Sequence, residues 1–197
     1  MTRRDCGFGN KLMKRSALYY AHRHSGATFG EYSGWELPSF FARQECELAQ
    51  IPEAAGITDT SHYCKVDLRS DAGPNSWHLG AGHYLSVSES SKVLAGGINV
   101  TSVYTSLRLA GPRATAVLGK LTPLNIGGSA LPNMSCAQAT LAHVPTIFLR
   151  EDIGSLLAFH LLITREYAES IWQEILHAGH EFHICPFGLE ALRLLRG

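Results

Sequence analysis

The chain has 197 residues, of which 45% are hydrophobic and 17% charged, and its 17 basic residues balance its 17 acidic residues. This length suits one domain, or a larger one built from two fused halves, and the composition excludes an intrinsically disordered chain. Because the sequence has no basic excess to attract a phosphate backbone, we predict no nucleic-acid partner.

The cysteines and the apolar segments indicate a soluble, intracellular protein. The five cysteines are odd in number and include no C-x-x-C pair, which favours a reducing cytoplasm, or the mitochondrial matrix in a eukaryote. The most apolar window, residues 153–163, contains His160 and is far shorter than the roughly 20 residues of a membrane helix. We therefore predict no membrane span.

The chain before residue 71 is predicted to form short helices and strands around an aromatic loop. Glycine permits the backbone conformation that ends helices, and proline lacks the amide hydrogen that a helix interior requires. The predicted elements are a helix over 14–24 that ends near Gly26, an aromatic loop over 29–41, a helix over 42–55 that breaks at Pro52, and two strands within 57–68.

A cluster of glycine, proline, asparagine and serine at residues 71–76 is typical of a turn or linker. We place the main internal junction there. It divides the chain into a first part, 1–70, and a second part, 77–197.

The second part is predicted to alternate strands and helices. Its clearest element is a helix over 166–178, where apolar residues recur at helical spacing before Gly179. The others are a hairpin of 77–79 and 84–87, a strand over 101–109 with Val103, Leu107 and Leu109 on one face, a helix from Gly111-Pro112 to 121, strands over 136–143 and 146–150 joined at Val144-Pro145, a strand over 158–164, and a helix over 187–195. This order lacks the strict rhythm of a parallel sheet, so the predicted class is α+β.

Motifs of common enzyme classes, such as G-x-S-x-G, H-E-x-x-H or a Walker loop, do not occur. His177, His180 and His183 recur at a spacing of three, but Gly179 separates them, and we predict no metal site. The charged residues 150–152 suit a solvated turn or, alternatively, a site in which a planar guanidinium binds a carboxylate.

Five segments follow one another in an order that resembles a known family. They are L-Y-Y-A-H at 18–22, G-W-E-L-P at 34–38, E-A-A-G-I-T-D-T-S-H at 53–62, L-A-G-P-R at 109–113, and P-F-G-L at 186–189 with its L-R ending. Together they resemble the glycine-cleavage T-protein, the tetrahydrofolate-dependent aminomethyltransferase, and its relatives among folate-dependent demethylases and sarcosine-oxidase domains. The resemblance implies a T-protein-like folate-binding core, with 1–70 and 77–197 as its parts.

Two departures from the family pattern bear on the fold. The family's long segment between the strand after D-x-S-H and the next hairpin has no counterpart, and the junction at 71–76 replaces it. That segment carries the aspartate that the family uses in catalysis, so the catalytic residues here are unknown. The family's C-terminal barrel domain is also expected to be absent, since the sequence ends at Gly197.

A third departure concerns the pterin. Gapless alignment with the family's G-Y-T-G-E-D-G-x-E stretch places Leu156 on the glutamate that holds the pterin and His160 on the second glutamate. Leucine has no acceptor for the paired donors of a pterin, and an unpaired buried donor costs about 1–3 kcal/mol. Folate affinity is therefore expected to fall unless Glu151 or Asp152 takes over.

The resemblance implies a tetrahydrofolate-binding, aminomethyltransferase-like transferase of one-carbon metabolism, acting in glycine cleavage or in N-methyl amine demethylation, without full catalysis of its own. In this interpretation Arg150 pairs with a folate carboxylate and Glu151 or Asp152 holds the pterin. The pocket is lined by Trp35, His62 and Tyr63. A lipoyl-carrier protein or an amine oxidase would supply the aminomethyl group.

An alternative is a non-catalytic subunit or interaction module of an oxidoreductase or demethylase complex. A shortened fold exposes apolar surface, which a partner or a second copy in a homo-oligomer would cover. The aromatic residues that discriminate between a closed pocket and an exposed patch are Phe29, Tyr32, Trp35, Phe40 and Phe41. A truncated product without a retained role is a third alternative.

Overall fold

The structure is a computed structural model that describes residues 13–70, 73, 76–89 and 96–197. Within these ranges the strands are β1 Lys14–Arg15, β2 Thr28–Tyr32, β3 Trp35–Phe40, β4 Gly56–Asp59, β5 Cys64–Leu68, β6 Ser76–Gly80, β7 His83–Ser88, β8 Ile98–Asn99, β9 Tyr104–Ala110, β10 Ser135–Leu141, β11 Val144–Arg150, β12 Ala158–Thr164 and β13 Cys185–Pro186. The α-helices are α1 Tyr19–His24, α2 Gln44–Gln50, α3 Ala114–Gly119, α4 Ala168–Gly179 and α5 Leu189–Arg196.

A six-stranded sheet forms the centre of the fold. Its order is β10-β11-β12-β9-β4-β13, and neighbours are antiparallel except β13, which runs parallel to β4. Helices α3 and α4 cover one face, which we call the helix face. Leu109, Phe148, Phe159 and Trp172 are fully buried there, and burying such a side chain contributes about 1.5–3 kcal/mol.

The opposite face, which we call the site face, carries a row of polar side chains. Side chains alternate along a strand, so Arg108 points away from the helix face, to which its neighbours Leu107 and Leu109 belong. Arg108 pairs across the sheet with His160 on β12 and with Thr58 on β4. The three side chains therefore share one face.

Two smaller sheets cover the site face on either side of this row. The sheet β1-β3-β2, together with α2 and α5, packs through Trp35 in the cluster that contains Ala110. The sheet β6-β7-β5-β8 packs through Leu85 and Val87 in the cluster that contains Leu162. The space between the two covering layers is the cleft discussed below.

The α+β class is confirmed, as are most of the elements that depend on hydrophobic periodicity. Strand β12 has the predicted bounds, and α4 is the predicted long helix, preceded by a short 3-10 turn at Arg165–Tyr167. Helix α2 ends before Pro52, and β6 and β7 form the predicted hairpin. The strands predicted within 57–68 are β4 and β5.

The prediction of an aromatic loop over 29–41 was wrong, because this segment is the hairpin β2–β3. Tyr32 pairs with Trp35, which leaves Ser33 and Gly34 as a two-residue turn. Both have positive φ values, 52° and 81°, as the turn type that suits the twist of a hairpin requires.

Three boundaries also differ. The turn predicted at Val144-Pro145 lies at Ala142 and His143, which take φ values of 45° and 68°. The helix predicted over 14–24 begins only at Tyr19, because residues 14–15 pair with β3. The helix predicted from Gly111-Pro112 begins at Ala114.

Two motif glycines are required by close backbone approach. A Cβ on Gly188 would lie 1.8 Å from the Ser39 carbonyl oxygen. Gly111 has a φ of 124°, and a Cβ there would lie 2.7 Å from the carbonyl oxygens of Ala54 and Ile51. These glycines of the P-F-G-L and L-A-G-P segments therefore allow the chain to pack closely against β3 and against the segment between α2 and β4.

The predicted junction at 71–76 falls partly outside the described residues. The chain leaves β5 at Leu68 and enters β6 at Ser76, so the division into 1–70 and 77–197 stays a prediction. In the part of the chain that the structure describes, no helix is long and apolar enough to cross a membrane.

Candidate functional site

Three cavities with shared walls form the cleft between the covering layers. The first, about 340 Å³, is bordered by Trp35 and His62. The second, about 370 Å³, is bordered by His62 and Tyr63. The third, about 230 Å³, is bordered by Tyr63, Glu151 and His160, and we call it the charged cavity.

The D-T-S-H segment forms the turn between β4 and β5 and places His62 in the cleft. The carboxylate of Asp59 accepts the backbone N–H of Ser61 at 2.9 Å. The hydroxyl of Thr60 lies 2.9 Å from that of Ser106 on β9. These bonds tie the turn to the central sheet. Burial lowers the pKa of His62 to about 4, so its imidazole is neutral at pH 7.

Lys65 supports the same turn from inside the protein. Its side chain is fully buried, and Nζ donates to the carbonyl oxygens of Ser61 and Tyr63 at 3.0 Å each. Burial lowers the pKa of Lys65 to about 7, although the charge of Asp59 acts in the opposite direction.

Asp59 and His22 form a buried pair behind the turn. Their side chains are fully buried, and His22 Nε2 lies 3.1 Å from Asp59 Oδ2. Burial acts to raise the pKa of Asp59, but hydrogen bonds from His22, Ser16 and Ser61 overcome it, so the pKa is lowered. The His22 ring also packs edge-on against Trp172, at 4.8 Å between centroids. The pair therefore anchors α1 and α4 to β4.

The polar row of the site face ends in a compact ionic cluster. Arg108 Nη1 donates to Glu151 Oε2 at 2.5 Å and Nη2 to the Glu151 carbonyl oxygen at 2.6 Å. His160 Nε2 lies 2.8 Å from the same carboxylate oxygen and contacts the Arg108 guanidinium. Arg108 and His160 are only 1% and 2% exposed.

The charge state of the cluster follows from burial. Burial, reinforced by Arg108, lowers the pKa of His160 to about 3. Burial acts to raise the pKa of Glu151, but the hydrogen bond from His160 and the charge of Arg108 lower it to about 2. At pH 7 the cluster thus contains one cation, one anion and a neutral imidazole.

A second ionic group also borders the charged cavity. The Tyr63 hydroxyl donates to Glu89 Oε1 at 2.5 Å, and Arg196 pairs with the same carboxylate. The Arg196 guanidinium also lies 5.4 Å from the centre of the Tyr63 ring. Burial, together with Glu89, raises the pKa of the Tyr63 phenol, despite the opposing charge of Arg196.

Arg150 and Asp152 lie apart from the cleft. Arg150 pairs with Phe159 of the helix face. Its Nε and Nη2 donate to the two carboxylate oxygens of Asp152 at 3.2 and 3.0 Å, and Nη1 donates to the Leu131 carbonyl at 2.7 Å. The Arg150 guanidinium is thus already hydrogen-bonded to Asp152 and to the Leu131 carbonyl.

The structure brings five of the seven predicted site residues around the cleft, namely Trp35, His62, Tyr63, Glu151 and His160. Their roles toward folate, like those of Arg150 and Asp152, stay predictions. Leu156, aligned with the family's pterin-holding glutamate, packs against the apolar cluster of the covering sheet β1-β3-β2.

Of the five aromatic residues in the segment that was predicted as an aromatic loop, some lie in the core and others at the surface. Trp35 is buried, Phe29, Tyr32 and Phe41 are partly buried, and Phe40 is exposed. Only Tyr32 and Trp35 border the three cavities. These side chains therefore form neither one closed pocket nor one exposed patch.

Sequence reasoning missed Arg108, Glu89 and Arg196. For Arg108 the signal was present, because Leu107 and Leu109 were assigned to one strand face and an arginine between them must point to the other. Glu89 and Arg196 are far apart in sequence, and only the packing of α5 brings them together. Among the described residues, no group of three or more histidine, cysteine or acidic side chains is arranged to hold a metal ion.

A family model, the GCVT N-terminal domain, matches residues 85–197. The chain belongs to this family. A similar curated protein is the aminomethyltransferase of Acidobacterium capsulatum, which is 24% identical over an alignment of 241 residues that covers 93% of this chain and 62% of that protein. The chain thus spans about 62% of the length of that relative.

Sarcosine oxidases are also similar to this GCVT-family chain. The sarcosine oxidase subunit alpha of Corynebacterium sp. is 30% identical over 100 residues, covering 50% of this chain and 10% of that subunit. A chain of the heterotetrameric sarcosine oxidase from Corynebacterium sp. U-96 shares the fold with a TM-score of 0.59 and 13% identity, over 86% of this chain and 96% of that one.

The T-protein fold with an internal deletion is confirmed. The glycine cleavage system aminomethyltransferase T from Bartonella henselae matches with a TM-score of 0.73 and 19% identity, over 93% of this chain and 62% of that one. The alignment with the Acidobacterium relative, at 241 residues, is longer than the 197 residues of this chain. The relative therefore carries residues that this chain lacks.

Proposed function

We propose that this GCVT-family chain is a non-catalytic subunit of a heteromeric enzyme that oxidises N-methyl amines. The observation that carries the proposal is the cluster of Arg108, Glu151 and His160. In this cluster the chain's own arginine and histidine already bind the carboxylate that was expected to hold a pterin.

The second predicted anchor for folate is occupied in the same way. The fork of Arg150 faces Asp152, so a folate carboxylate would have to displace a bidentate partner. Leu156 offers no acceptor in place of the family's glutamate. Binding of folate would thus require two internal ion pairs to open.

The similar sarcosine oxidases support the same proposal. The heterotetrameric sarcosine oxidase contains a chain of this fold that is matched over 96% of its length. A T-protein-like unit therefore occurs as a chain of a complex in that enzyme. For this chain we propose flavin-dependent amine oxidase subunits as the partners and the cytoplasm as the location.

Co-expression tests this role. The full chain is co-expressed with the flavin-dependent amine oxidase subunits of its own organism and analysed by size-exclusion chromatography, with flavin absorbance as the marker. We expect the chain to elute with flavin at a fixed ratio. Elution of the chain alone, at the volume of a monomer, would contradict the proposal.

A second candidate is a tetrahydrofolate-binding, aminomethyltransferase-like protein of one-carbon metabolism, which receives its aminomethyl group from a lipoyl carrier. The aromatic wall of the cleft favours it. The His62 ring lies 4.7 Å from Tyr63 and 6.0 Å from Tyr32, and such a wall suits stacking of a flat heterocycle.

Calorimetric titration with tetrahydrofolate separates the two candidates. The subunit proposal expects no saturable heat for the chain alone. Saturable binding that weakens in Arg150→Ala, but not in Arg193→Ala, would support the second candidate instead. Arg193 is a suitable control because its side chain is 78% exposed and pairs only loosely with Glu190, at 3.5 Å.

A further inference from the structure

Strand β10 is an edge of the central sheet, and among the described residues no second strand pairs with its outer side. It is seven residues long, with the sequence S-C-A-Q-A-T-L, and it pairs with β11 over its whole length without a register shift. The strand contains neither a charged residue nor a proline. An edge of this kind is a template for one more strand, because its outer N–H and C=O groups have no partner within the sheet.

The other sheet edges in the part of the chain that the structure describes each carry a protective feature. At the opposite end of the central sheet, β13 has only two residues, one of which is Pro186, and β1 and β8 also have two residues each. Strand β2 contains Glu31 and a register shift, and the register of β6 shifts between His78 and Gly80. Short strands, prolines, charges and bulges all prevent association between sheet edges. Strand β10 has none of these features.

The hairpin β10–β11 determines which backbone groups of β10 point outward. Its closing pair is Leu141 and Val144, around a two-residue turn, and the closing pair of such a turn is hydrogen-bonded. Hydrogen-bonded and non-hydrogen-bonded pairs then alternate along the two strands. The N–H and C=O groups of Cys136, Gln138 and Thr140 therefore point away from β11.

The side chains of this edge are compatible with a second copy of the same strand. Gln138 is the middle residue of β10, so antiparallel pairing about a two-fold axis places it opposite itself and places Cys136 opposite Thr140. Between these pairs, Ala137 lies opposite Ala139. The three outward residues of each copy then all lie in hydrogen-bonded pairs. This pairing brings no like charges together, and an uncharged strand offers nothing to attract a charged segment of another protein.

We propose that β10 is a dimerisation edge, at which β10 of a second copy pairs antiparallel and the two central sheets become one continuous sheet. One strand pair buries less area than the roughly 1,200–2,000 Å² of a stable interface, so the dimer is reversible, with a dissociation constant on the order of 10 μM. This surface goes beyond the subunit role and does not depend on it.

An apolar groove beside the edge adds to the contact. Its volume is about 400 Å³, and it is bordered by Thr140, Ile147 and Leu162. Directly opposed residues of neighbouring strands point to the same face of a sheet, so Cys136 of the second copy lies next to this groove. Within one chain, Cys136 Sγ donates to the His78 carbonyl at 3.0 Å. The hairpin β6–β7 of the second copy therefore lies near the groove as well.

Sedimentation velocity of the full chain, at concentrations below and above the expected dissociation constant, tests the proposal. We expect monomers at low concentration and dimers at high concentration. Hydrogen exchange under the same conditions should show slower exchange of the Cys136, Gln138 and Thr140 amides in the dimer, because these amides become hydrogen-bonded.

Charge substitutions at Gln138 test the two-fold pairing itself. Gln138→Lys and Gln138→Glu each place like charges opposite one another, so each variant alone should self-associate at least about tenfold more weakly than wild type. An equimolar mixture of the two variants places opposite charges together and should form dimers again. The matched control is Gln173→Lys, the same change on the exposed surface of α4, which should associate as wild type does.

Three results would overturn the proposal: a wild-type chain that stays monomeric at all concentrations, a dimer that Gln138→Lys leaves unchanged, or charged variants that do not associate on mixing. The Gln138 side chain donates to the Leu79 carbonyl at 2.8 Å, so thermal unfolding checks that each variant is folded. If either variant does not fold, the exchange of the wild-type amides decides the question. Elution with flavin subunits is a separate measurement, so failure here leaves the subunit proposal to its own test.

Discussion

The two faces of the central sheet use the same strands and bury opposite kinds of side chain. On the helix face, Leu109 and Phe159 are fully buried in an apolar cluster with α3 and α4. On the site face, one residue away along the same strands, Arg108 and His160 are almost as deeply buried. The side chains of the two faces are therefore buried to a similar depth, but those of the helix face are apolar and those of the site face are polar or charged.

This difference indicates what each face is for. Burying apolar side chains stabilises the fold, whereas moving a charge from water into the protein costs several kcal/mol that its ion pair only partly offsets. Several buried polar atoms of the row, Thr58 Oγ1, Arg108 Nε and His160 Nδ1, have no hydrogen-bond partner among the described residues. Because burying this polar row lowers the stability of the fold, a binding site explains the row better than a stabilising role does.

The largest effect should come from the helix face. Phe159→Ala removes a fully buried ring and should destabilise the protein by about 3–5 kcal/mol. Urea unfolding measures this, with Tyr20→Ala, a side chain 64% exposed, as the control expected to change stability by less than about 0.5 kcal/mol. A loss below about 1 kcal/mol for Phe159→Ala would mean that the helix face is not the main core.

How far the fold could be predicted depended on the kind of signal. Periodicity over a long segment predicted α4, and β12 was found at its predicted bounds. The hairpins turning at Ser33-Gly34 and at Ala142-His143 were missed or misplaced, because three of these four turn residues are not glycine yet take positive φ. Such turns are decided by the pairing of the flanking strands, which a local pattern does not contain.

The site was harder to predict than the fold. His62 and Tyr63 were found because they belong to a motif, and the cleft confirms only their proximity. Arg150 was chosen for its position at a strand end, but strand alternation directs it to the helix face. Arg108 required knowing that β9 and β12 are neighbours, which is a long-range fact of topology.

On the site face, removing one partner of the ionic cluster should cost about 2–3 kcal/mol. Glu151→Ala leaves the Arg108 guanidinium buried without its carboxylate, and Glu151 itself is 29% exposed, which reduces the loss from the fully buried case. Urea unfolding measures it against Glu181→Ala, which breaks the exposed pair with Lys120 and should cost less than about 1 kcal/mol. Equal losses for both variants would contradict the distinction between the pairs.

The pH dependence of stability should also depend on a residue of the site face. Burial holds the pKa of His160 at about 3, below the ordinary value near 6.5 in an unfolded chain. The unfolded state therefore binds a proton that the folded state refuses, so stability falls as pH decreases from about 6.5 toward 3. One such group accounts for about 1 kcal/mol between pH 6.5 and 5.5.

His160→Gln should reduce that loss by about 1 kcal/mol, whatever its effect at neutral pH. The measurement is the free energy of unfolding in urea at both pH values, with His24→Gln, an exposed histidine, as the control. An unchanged slope in His160→Gln would show that the imidazole is not held neutral. The slope would not vanish, because His62, with a pKa of about 4, acts in the same direction.

The smallest effect should come from removing both charges of the cluster together. Arg108→Met combined with Glu151→Met replaces the buried pair by apolar side chains, and such exchanges are often neutral or stabilising, so stability should stay within about 1 kcal/mol of wild type. If instead the double variant loses more than about 2 kcal/mol in urea unfolding, the polar row is a structural element like the helix face. The two faces would then differ in the chemistry of their side chains but not in their role, which would be structural on both.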